Sequence, residues 1–417
     1  MEKRVIQVEE RLPILETIPL SLQHVFAMFG ATVLVPILFK VNPSTVILFC
    51  GIGTLLYILV TKGKIPAYLG SSFALISPVL IVIPHFGYNA ALGGFIAVGL
   101  IFCTVAIIIK FAGVKWIDTV FPKAAMGAIV AVIGLELAPV AAEMSGFTSE
   151  VTDGKVILIS VITFAVTFLC SISLRGFLGL IPVLLGVAAG YIVSIIFGMV
   201  DFSKVEAAPW IELPELYFPQ FNINAIIIII PAALVIIPEH IGHLLVTGNI
   251  VGRDLAKDPG LHRSLLGDGI STTLSGIFGA TPTTTYGENI GVMAITKVYS
   301  AWVMGGAAVI AILISFFGKL SALIQSVPEP VIGGISMVLF GVIAASGIRM
   351  LVEAKLDYSK PGNLMLTSVV LAVGVSGANI NIGSVSIKGM ALAAILSIIL
   401  SLIIKLFESI KIIKKEQ

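Results

Sequence analysis

The sequence predicts an all-α integral membrane protein whose fourteen transmembrane segments form a 7+7 inverted repeat. Three observations lead there: an extreme apolar composition, positive charge gathered on alternate connections, and a correspondence between the two halves at a fixed shift. Of 417 residues, 58% are hydrophobic and 12% charged, with a mean hydropathy of +1.10, whereas soluble domains carry roughly 25% charged residues. A membrane-spanning helix needs about 20 apolar residues, and residues 18–39 supply such a run. That run is too long for a signal peptide and no small-residue cleavage pattern follows it, so the first span is expected to remain in the mature protein.

Apolar runs bounded by polar, Pro or Gly breaks fall at 18–39, 44–61, 66–83, 90–112, 121–141, 155–173, 177–199, 225–246, 264–280, 282–298, 301–318, 328–350, 361–377 and 387–409. The ninth, tenth and thirteenth are short or rich in Gly, Ser, Thr and Asn, so hydropathy alone marks them weakly. With both termini inside, the inner side collects Lys3, Arg4, Arg11, Lys62, Lys64, Lys110, Lys115, Arg175, Arg253, Lys257, Arg263, Lys297, Arg349, Lys355, Lys360 and the tail from Lys405 to Lys415. The outer side keeps Lys40, Lys155, Lys204, Lys319 and Lys388, and Lys123 falls near an inner boundary. This asymmetry places both termini in the cytoplasm of a cell whose inner (plasma) membrane holds the protein. The longest outer connection, 201–224, carries Trp210, Tyr217 and four acids and is expected to lie flat at the interface.

A shift of 216 residues superposes His24 of SLQHVFAMFG on His240 of IIPEHIGHLL, and Ser72 of LGSSFALISP on Glu288 of TTYGENIGVM. A second pair, Pro122 with Gly127 and Pro328 with Gly333, is related by 206. Seven segments per half is odd, so like halves must cross in opposite directions. Such repeats hold substrate near the midplane, where discontinuous helices meet. The third and tenth segments read as broken: Pro66, Gly70, Ser71, Ser72 and Pro78 crowd one, and Pro282, Thr283 to Thr285, Gly287 and Gly291 crowd the other. Irregular backbone at membrane depth survives only where it lines a cavity or is buried in protein.

Two acids, Glu239 and Glu288, sit deepest within apolar segments, and an intramembrane acid is by default functional. Residues four apart on a helix share a face, so Glu239 pairs with His243, while His240 points elsewhere. The order Glu-His-x-x-His is not the zinc motif, in which the first histidine precedes the glutamate; no metal and no cofactor is expected. His24 reads as a packing or helix-bridging histidine. Net charge is only +2, with no long basic block, so no nucleic acid is expected as a partner. Cys50, Cys103 and Cys170 lie in separate apolar segments and match neither a disulfide framework nor a metal site.

Carboxylates accept hydrogen bonds, amides at broken-helix N-termini donate them, and Phe73 and Tyr286 offer flat faces. The complement is a small planar molecule with N–H donors and carbonyl acceptors, a pattern that a pyrimidine such as uracil has. Burial favours the uncharged form of a carboxyl group, so a cavity acid can load a proton on one side and release it on the other. Histidine titrates near neutrality, which makes His243 a relay candidate; the same oxygens could also hold sodium. An ion channel or anion exchanger of the same fold would favour a basic residue at the broken helices, which is not found there. An enzyme would need a nucleophile, base and orienter at membrane depth, which are also not found.

The segments EHIGHLLVTGNI, GLHRSLLGDG and TPTTTYGENIGVMAITKVYSAWVMGGAA, with SLQHVFAMFGATVLVPILF, GKIPAYLGSSFALISPVL and FPKAAMGAIVAVIGLELA, resemble the nucleobase-cation symporter-2 (nucleobase-ascorbate transporter) family. The resemblance runs over essentially the whole chain. The family signature, an acid or Gln followed by Asn-x-Gly-x-x-x-x-Thr and a basic residue, stands here as Glu288-Asn289-Ile290-Gly291 through Thr296-Lys297, and Glu in first place is similar to the uracil branch.

The resemblance implies a secondary active transporter, not an enzyme, that imports uracil in symport with protons by alternating access. A purine, xanthine or urate permease is the alternative within the family. The resemblance also implies a core domain in 1–115 and 225–320, a gate domain in 116–200 and 321–417, an extracellular connection at 201–224, and short antiparallel strands interrupting segments 3 and 10. By motif, Glu239, Glu288, Phe73, Tyr286, Gly287 and Ala31 are implied to bind substrate, with His243, Glu239 and Glu288 coupling protons. A homodimer joined through gate domains in the lipid bilayer is implied as well. Phe340 stands where a similar permease has Tyr, removing one polar contact from the implied pocket.

Overall fold

The fold is described from a computed structural model, for residues 4–148, 153–176, 178–382 and 385–410. Lys3 and the part of the basic tail beyond Ile410 lie outside the described residues. The chain opens with α1 (Ile14–Phe39), α2 (Pro43–Val60), strand β1 (Leu69–Ser71), α3 (Ile76–Phe86), α4 (Tyr88–Ala112) and the short α5 (Ile117–Val120). Next come α6 (Lys123–Met144), α7 (Gly154–Ser173), α8 (Pro182–Ile196), the short α9 (Ser203–Ala207), α10 (Ile223–Ile229) and α11 (Ala233–Val251). Then follow α12 (Leu261–Phe278), β2 (Thr283–Thr285), α13 (Gly287–Thr296), α14 (Ala301–Ser315) and α15 (Gly318–Gln325). The chain ends in α16 (Glu329–Glu353), α17 (Pro361–Val375), β3 (Asn379–Ile382), β4 (Val385–Lys388) and α18 (Gly389–Ser409).

Each expected segment coincides with a helix or a strand–helix unit, yet not all of them are spans by length. Among the described residues, eight helices are long and apolar enough to cross a bilayer alone, or nine if α14 and α15, bent by 85°, count as one. The expected third and tenth segments are the short units β1–α3 and β2–α13. The seventh and thirteenth, α8 and α17, contain 15 residues each.

Local chemistry sets the helix ends. Pro43 opens α2 behind Asn42, whose side chain accepts the Ser44 N–H, and Asn222 caps α10 in the same way. The connection 201–224 is tied down by its backbone: Glu212 N–H donates to Phe316 O, and Gln220 N–H to Asn89 O. Lys319 donates to the carbonyls of Val205 and Glu206, while Trp210 and Phe221 stand 72% and 73% exposed. At the opposite chain end, the N-terminal segment pairs in parallel beside α14: Ile6 N–H donates to Lys297 O, and Ala301 N–H to Val8 O. Arg253 lies 2.5 Å from Glu9 there and holds that carboxyl below the usual carboxylate range.

The short antiparallel strands expected in the third and tenth segments are present. β1 and β2 form an antiparallel ribbon in the register Leu69↔Thr285, Gly70↔Thr284, Ser71↔Thr283. β3 and β4 form a second hairpin between α17 and α18, with Asn379 opposite Lys388; no strand is expected there from sequence.

Small residues let helices approach closely, and this is sharpest between α6 and α16. A Cβ on Gly134 would collide with the carbonyl of Phe340 and come within 2.6 Å of Ala344 N; one on Gly347 would come within 2.6 Å of Gly127 O. These neighbours are backbone atoms, so neither can be relieved by a rotamer change. Gly134→Ala is expected to destabilise the protein by about 1–3 kcal/mol, seen as a lowered thermal transition in detergent. Gly341→Ala on the same α16, where a Cβ meets nothing within 4 Å, should leave that transition unchanged.

Candidate functional site

The site is built on the β1–β2 ribbon. Each strand leads directly into a helix, α3 through a short 3-10 turn at Phe73–Leu75 and α13 at Gly287, so antiparallel pairing starts the two helices from opposite ends of the ribbon. The free edges are satisfied by neighbouring hydroxyls: Leu69 N–H donates to Thr54 Oγ1 at 2.9 Å, and Thr283 N–H to Thr272 Oγ1 at 3.2 Å. Ser72 N–H reaches Pro282 O at 2.9 Å, and Tyr286 N–H reaches Tyr68 O at 3.0 Å. In α13 the first amide bonded back is Ile290 N–H, to Tyr286 O, which leaves the amides of Gly287, Glu288 and Asn289 at the positive end of the helix dipole.

α11 faces this end. His243 Nδ1 is 3.1 Å from Thr285 Oγ1, and a Cβ on Gly287 would lie 3.6 Å from His243 Nε2. Glu239, one turn earlier on the same face, keeps Oε2 buried with no hydrogen-bond partner among the described residues. Glu288 occupies the first turn of α13. The structure therefore brings Glu239, His243, Gly287 and Glu288 to one junction.

Phe73 is buried beside the ribbon and meets Phe340 of α16 edge to face, with ring centroids 6.4 Å apart at 82°. Tyr286 is placed differently from an open stacking face. Its ring covers Gly70, where a Cβ would collide with ring carbons Cζ and Cε2. Its hydroxyl donates to Ser71 O at 3.2 Å and sits 3.4 Å from Thr32 Oγ1. Tyr286 thus locks α13 to β1 and α1. Ala31 is buried in α1 next to Thr32. His24 bridges α1 to α13, with Asn289 Nδ2 3.2 Å from His24 O and 3.1 Å from His24 Nδ1.

The residue that sequence reading missed is Asp268. It is fully buried on α12, more so than Glu239 or Glu288, and its Oδ2 lies 3.0 Å from His240 Nδ1. His240 Nε2 is 2.7 Å from Ser264 Oγ, which is 2.6 Å from Tyr57 OH. Thr283 of β2 stands 3.4 Å from Asp268 Oδ1, so the chain of polar contacts starts at the ribbon itself. A signal was present, though a faint one: Asp268 is flanked by Gly267 and Gly269, much as Gly287 and Gly291 bracket Glu288.

A ribbon of broken helices, faced by acids inside a bundle of apolar spans, defines a multi-pass membrane transporter. The chain belongs to a family of such transporters: the sequence profile described as "Permease family" matches residues 15–383, in accord with the nucleobase-cation symporter-2 signature. Its members are permeases rather than enzymes. The uracil permease of Escherichia coli (strain K12) is 61% identical over 414 residues, spanning 99% of this chain and 96% of that protein. The uracil permease of Paenibacillus larvae subsp. larvae is 58% identical over 417 residues, spanning 99% of each chain. Among solved structures, the transmembrane domain of a cyanobacterium bicarbonate transporter, BicA, superposes with a TM-score of 0.62 at 14% identity, covering 98% of this chain and 100% of that one. That likeness speaks for the fold.

Removing a buried polar group leaves its neighbours without a partner, at about 1–3 kcal/mol for each group so stranded. Asp268→Ala is expected to lower stability by that order in a thermal unfolding assay. Ser264→Ala, which removes a neutral partner, should cost about 1 kcal/mol.

Proposed function

We propose that the chain is a uracil transporter of the plasma membrane that takes up its substrate in symport with protons. The observation that carries this reading is Glu239 Oε2, a buried acceptor without a hydrogen-bond partner among the described residues, one turn from His243, which lies beside the amide-rich start of α13. A uracil ring supplies the N–H donors that Glu239 and Glu288 accept, and its carbonyls take the amides near Gly287 and Phe73. Phe73 forms one wall of the ring site, and Ala31 and Tyr286 close the other by setting the distance between α1 and the ribbon. The names of the full-length relatives, uracil permeases in Escherichia coli and Paenibacillus larvae, support the substrate.

In this reading fourteen segments arranged as a 7+7 inverted repeat cross the membrane, with both termini cytoplasmic. Elements that the sequence repeat relates lie against one another: β1 pairs with β2, and α6 packs on α16. A core (1–115 and 225–320) moves against a gate (116–200 and 321–417), with the extracellular connection 201–224 joining them, and two copies associate through their gates. Phe73 belongs to the core and Phe340 to the gate, so their edge-to-face contact lies on the sliding surface. His243 relays the proton to Glu239, and Glu288 shares the load. The fold likeness to a bicarbonate transporter keeps anion exchange as a second reading, but two carboxyl groups, Glu239 and Glu288, stand at the junction and no Lys or Arg does.

Purified protein in proteoliposomes is expected to accumulate labelled uracil under an inward proton gradient, to do so without a sodium gradient, and to lose accumulation in Glu239→Gln. Sodium-driven uptake, or binding displaced only by purines, would overturn the coupling or the substrate respectively. His243→Ala should lower the pH-dependent uptake rate by about a hundredfold or more, the size typical of a lost general acid–base partner, while uracil binding at equilibrium changes less. Equal losses in rate and binding would place His243 in the binding site alone.

A further inference from the structure

Another acid within an apolar helix lies outside the junction. Glu136 sits within the apolar helix α6, partly buried, and both its oxygens are engaged. Oε1 accepts a hydrogen bond from Ser77 Oγ of α3 at 2.6 Å, and Oε2 accepts from the Met390 N–H of α18 at 2.8 Å. Met390 is the second residue of α18, so the carboxylate rests on a helix N-terminus, where unpaired amides and the dipole favour an anion. Gly389 makes room for it: its φ is +56°, and a Cβ there would collide with the Glu136 carboxylate.

The three partners do not belong together by packing. α6 and α18 lie against each other and against α17, whereas α3 lies against α1, α4 and α10 and touches α6 only slightly. Between the two groups is a cavity of about 330 Å³, walled by Leu80 and Ile81 of α3, Pro139 and Val140 of α6, and Lys388 before α18. Ser77–Glu136 is thus a polar tie across a seam that is otherwise lined largely by apolar groups. A charged acceptor makes it a strong one.

We propose that Glu136 is a positioning residue of the transport cycle: its carboxylate latches α3 to the α6–α18 pair and must release Ser77 for the cavity at this end to open. The proposal rests on the core and gate reading above, since the latch joins the two bodies that reading sets in motion. Met390 keeps its hold on the carboxylate when Ser77 leaves, so opening costs one hydrogen bond and leaves the acid partnered. The latch is far from the acids of the ribbon junction in sequence and role. It touches no substrate in this scheme and acts on the closed-to-open ratio alone.

The test uses a cysteine reporter, Leu80→Cys, with Cys50, Cys103 and Cys170 replaced by Ala, labelled in detergent by a water-soluble maleimide. Adding Glu136→Ala or Ser77→Ala is expected to speed labelling about tenfold, the effect of losing one hydrogen bond to a charged group on a two-state ratio. Glu136→Gln, which retains one acceptor, should fall between. Net uracil uptake should drop in the two Ala variants, with equilibrium binding held within about threefold. Ser77→Ala leaves the α18 cap intact and decides the matter if Glu136→Ala fails to fold. Unchanged labelling in Ser77→Ala would overturn the latch and leave Glu136 a helix cap. Because labelling needs neither substrate nor bilayer, faster labelling beside a parent that takes up no uracil would count against the substrate reading and uphold the latch.

Discussion

The structure depends on how six residues of extended backbone are kept satisfied inside an apolar bundle. A strand pair has two open edges, and hydrocarbon offers no partner for unpaired N–H or C=O groups, each of which would cost several kcal/mol. The solution here is to surround the ribbon with hydroxyls. Thr54 of α2 accepts from Leu69 N–H while donating to Cys50 O, and Thr272 of α12 does the same service for Thr283. α2 and α12 are therefore fixed by the ribbon as much as by apolar packing. Tyr286 adds α1, because its hydroxyl sits between Thr32 and Ser71 O.

Having settled its own edges, the ribbon presents helix starts. An unbroken span buries its first amides at the membrane surface, where water pairs them. A span that begins at a ribbon brings those amides to depth, and something anionic or carbonyl-bearing must meet them. Glu288 in the first turn of α13 answers part of that demand from its own chain. The close approach of α6 and α16 through Gly134 matters for the same place: the atom that Gly134 makes room for is the carbonyl of Phe340, whose ring meets Phe73 beside the ribbon. A packing glycine in one helix thus sets how near an aromatic wall stands to the broken span.

Much of this could be read from the residues, for a physical reason. Acids and Gly-Thr clusters are so costly in an apolar chain that each one announces itself, which is how Glu239, Glu288 and the two broken segments were legible. The positions of the strands were implied by family resemblance rather than by alternation, since three-residue strands show no period. Asp268 was not legible because its segment, 264–280, is itself polar enough to blur as a span, and a charge on a weakly apolar background draws less notice. The hairpin β3–β4 lies where NINI and VSIK run between the expected segments 361–377 and 387–409, and four-residue runs in a connection are too short to show a strand period. Tyr286 was legible as an aromatic at the site, but the direction of its ring depends on Gly70, a partner 216 residues away that only the fold brings near.

The acids near the ribbon differ in what stands beside them, and the proposed reading divides their work on that difference. Asp268 has His240 at 3.0 Å and a threonine from β2, in a fully buried setting. Glu288 has its own helix start. Glu239 projects from the middle of α11 with Oε2 buried and without a hydrogen-bond partner among the described residues; Asp268 Oδ2 also lacks one, but has the His240 ring nitrogen beside it. In the proposed reading Glu239 is the group whose hydrogen bonds are cheapest to reassign. A carrier needs one such group at its centre, an acceptor that the fold has not already committed, because only an uncommitted acceptor can take hold of a ligand N–H or a proton and then let it go.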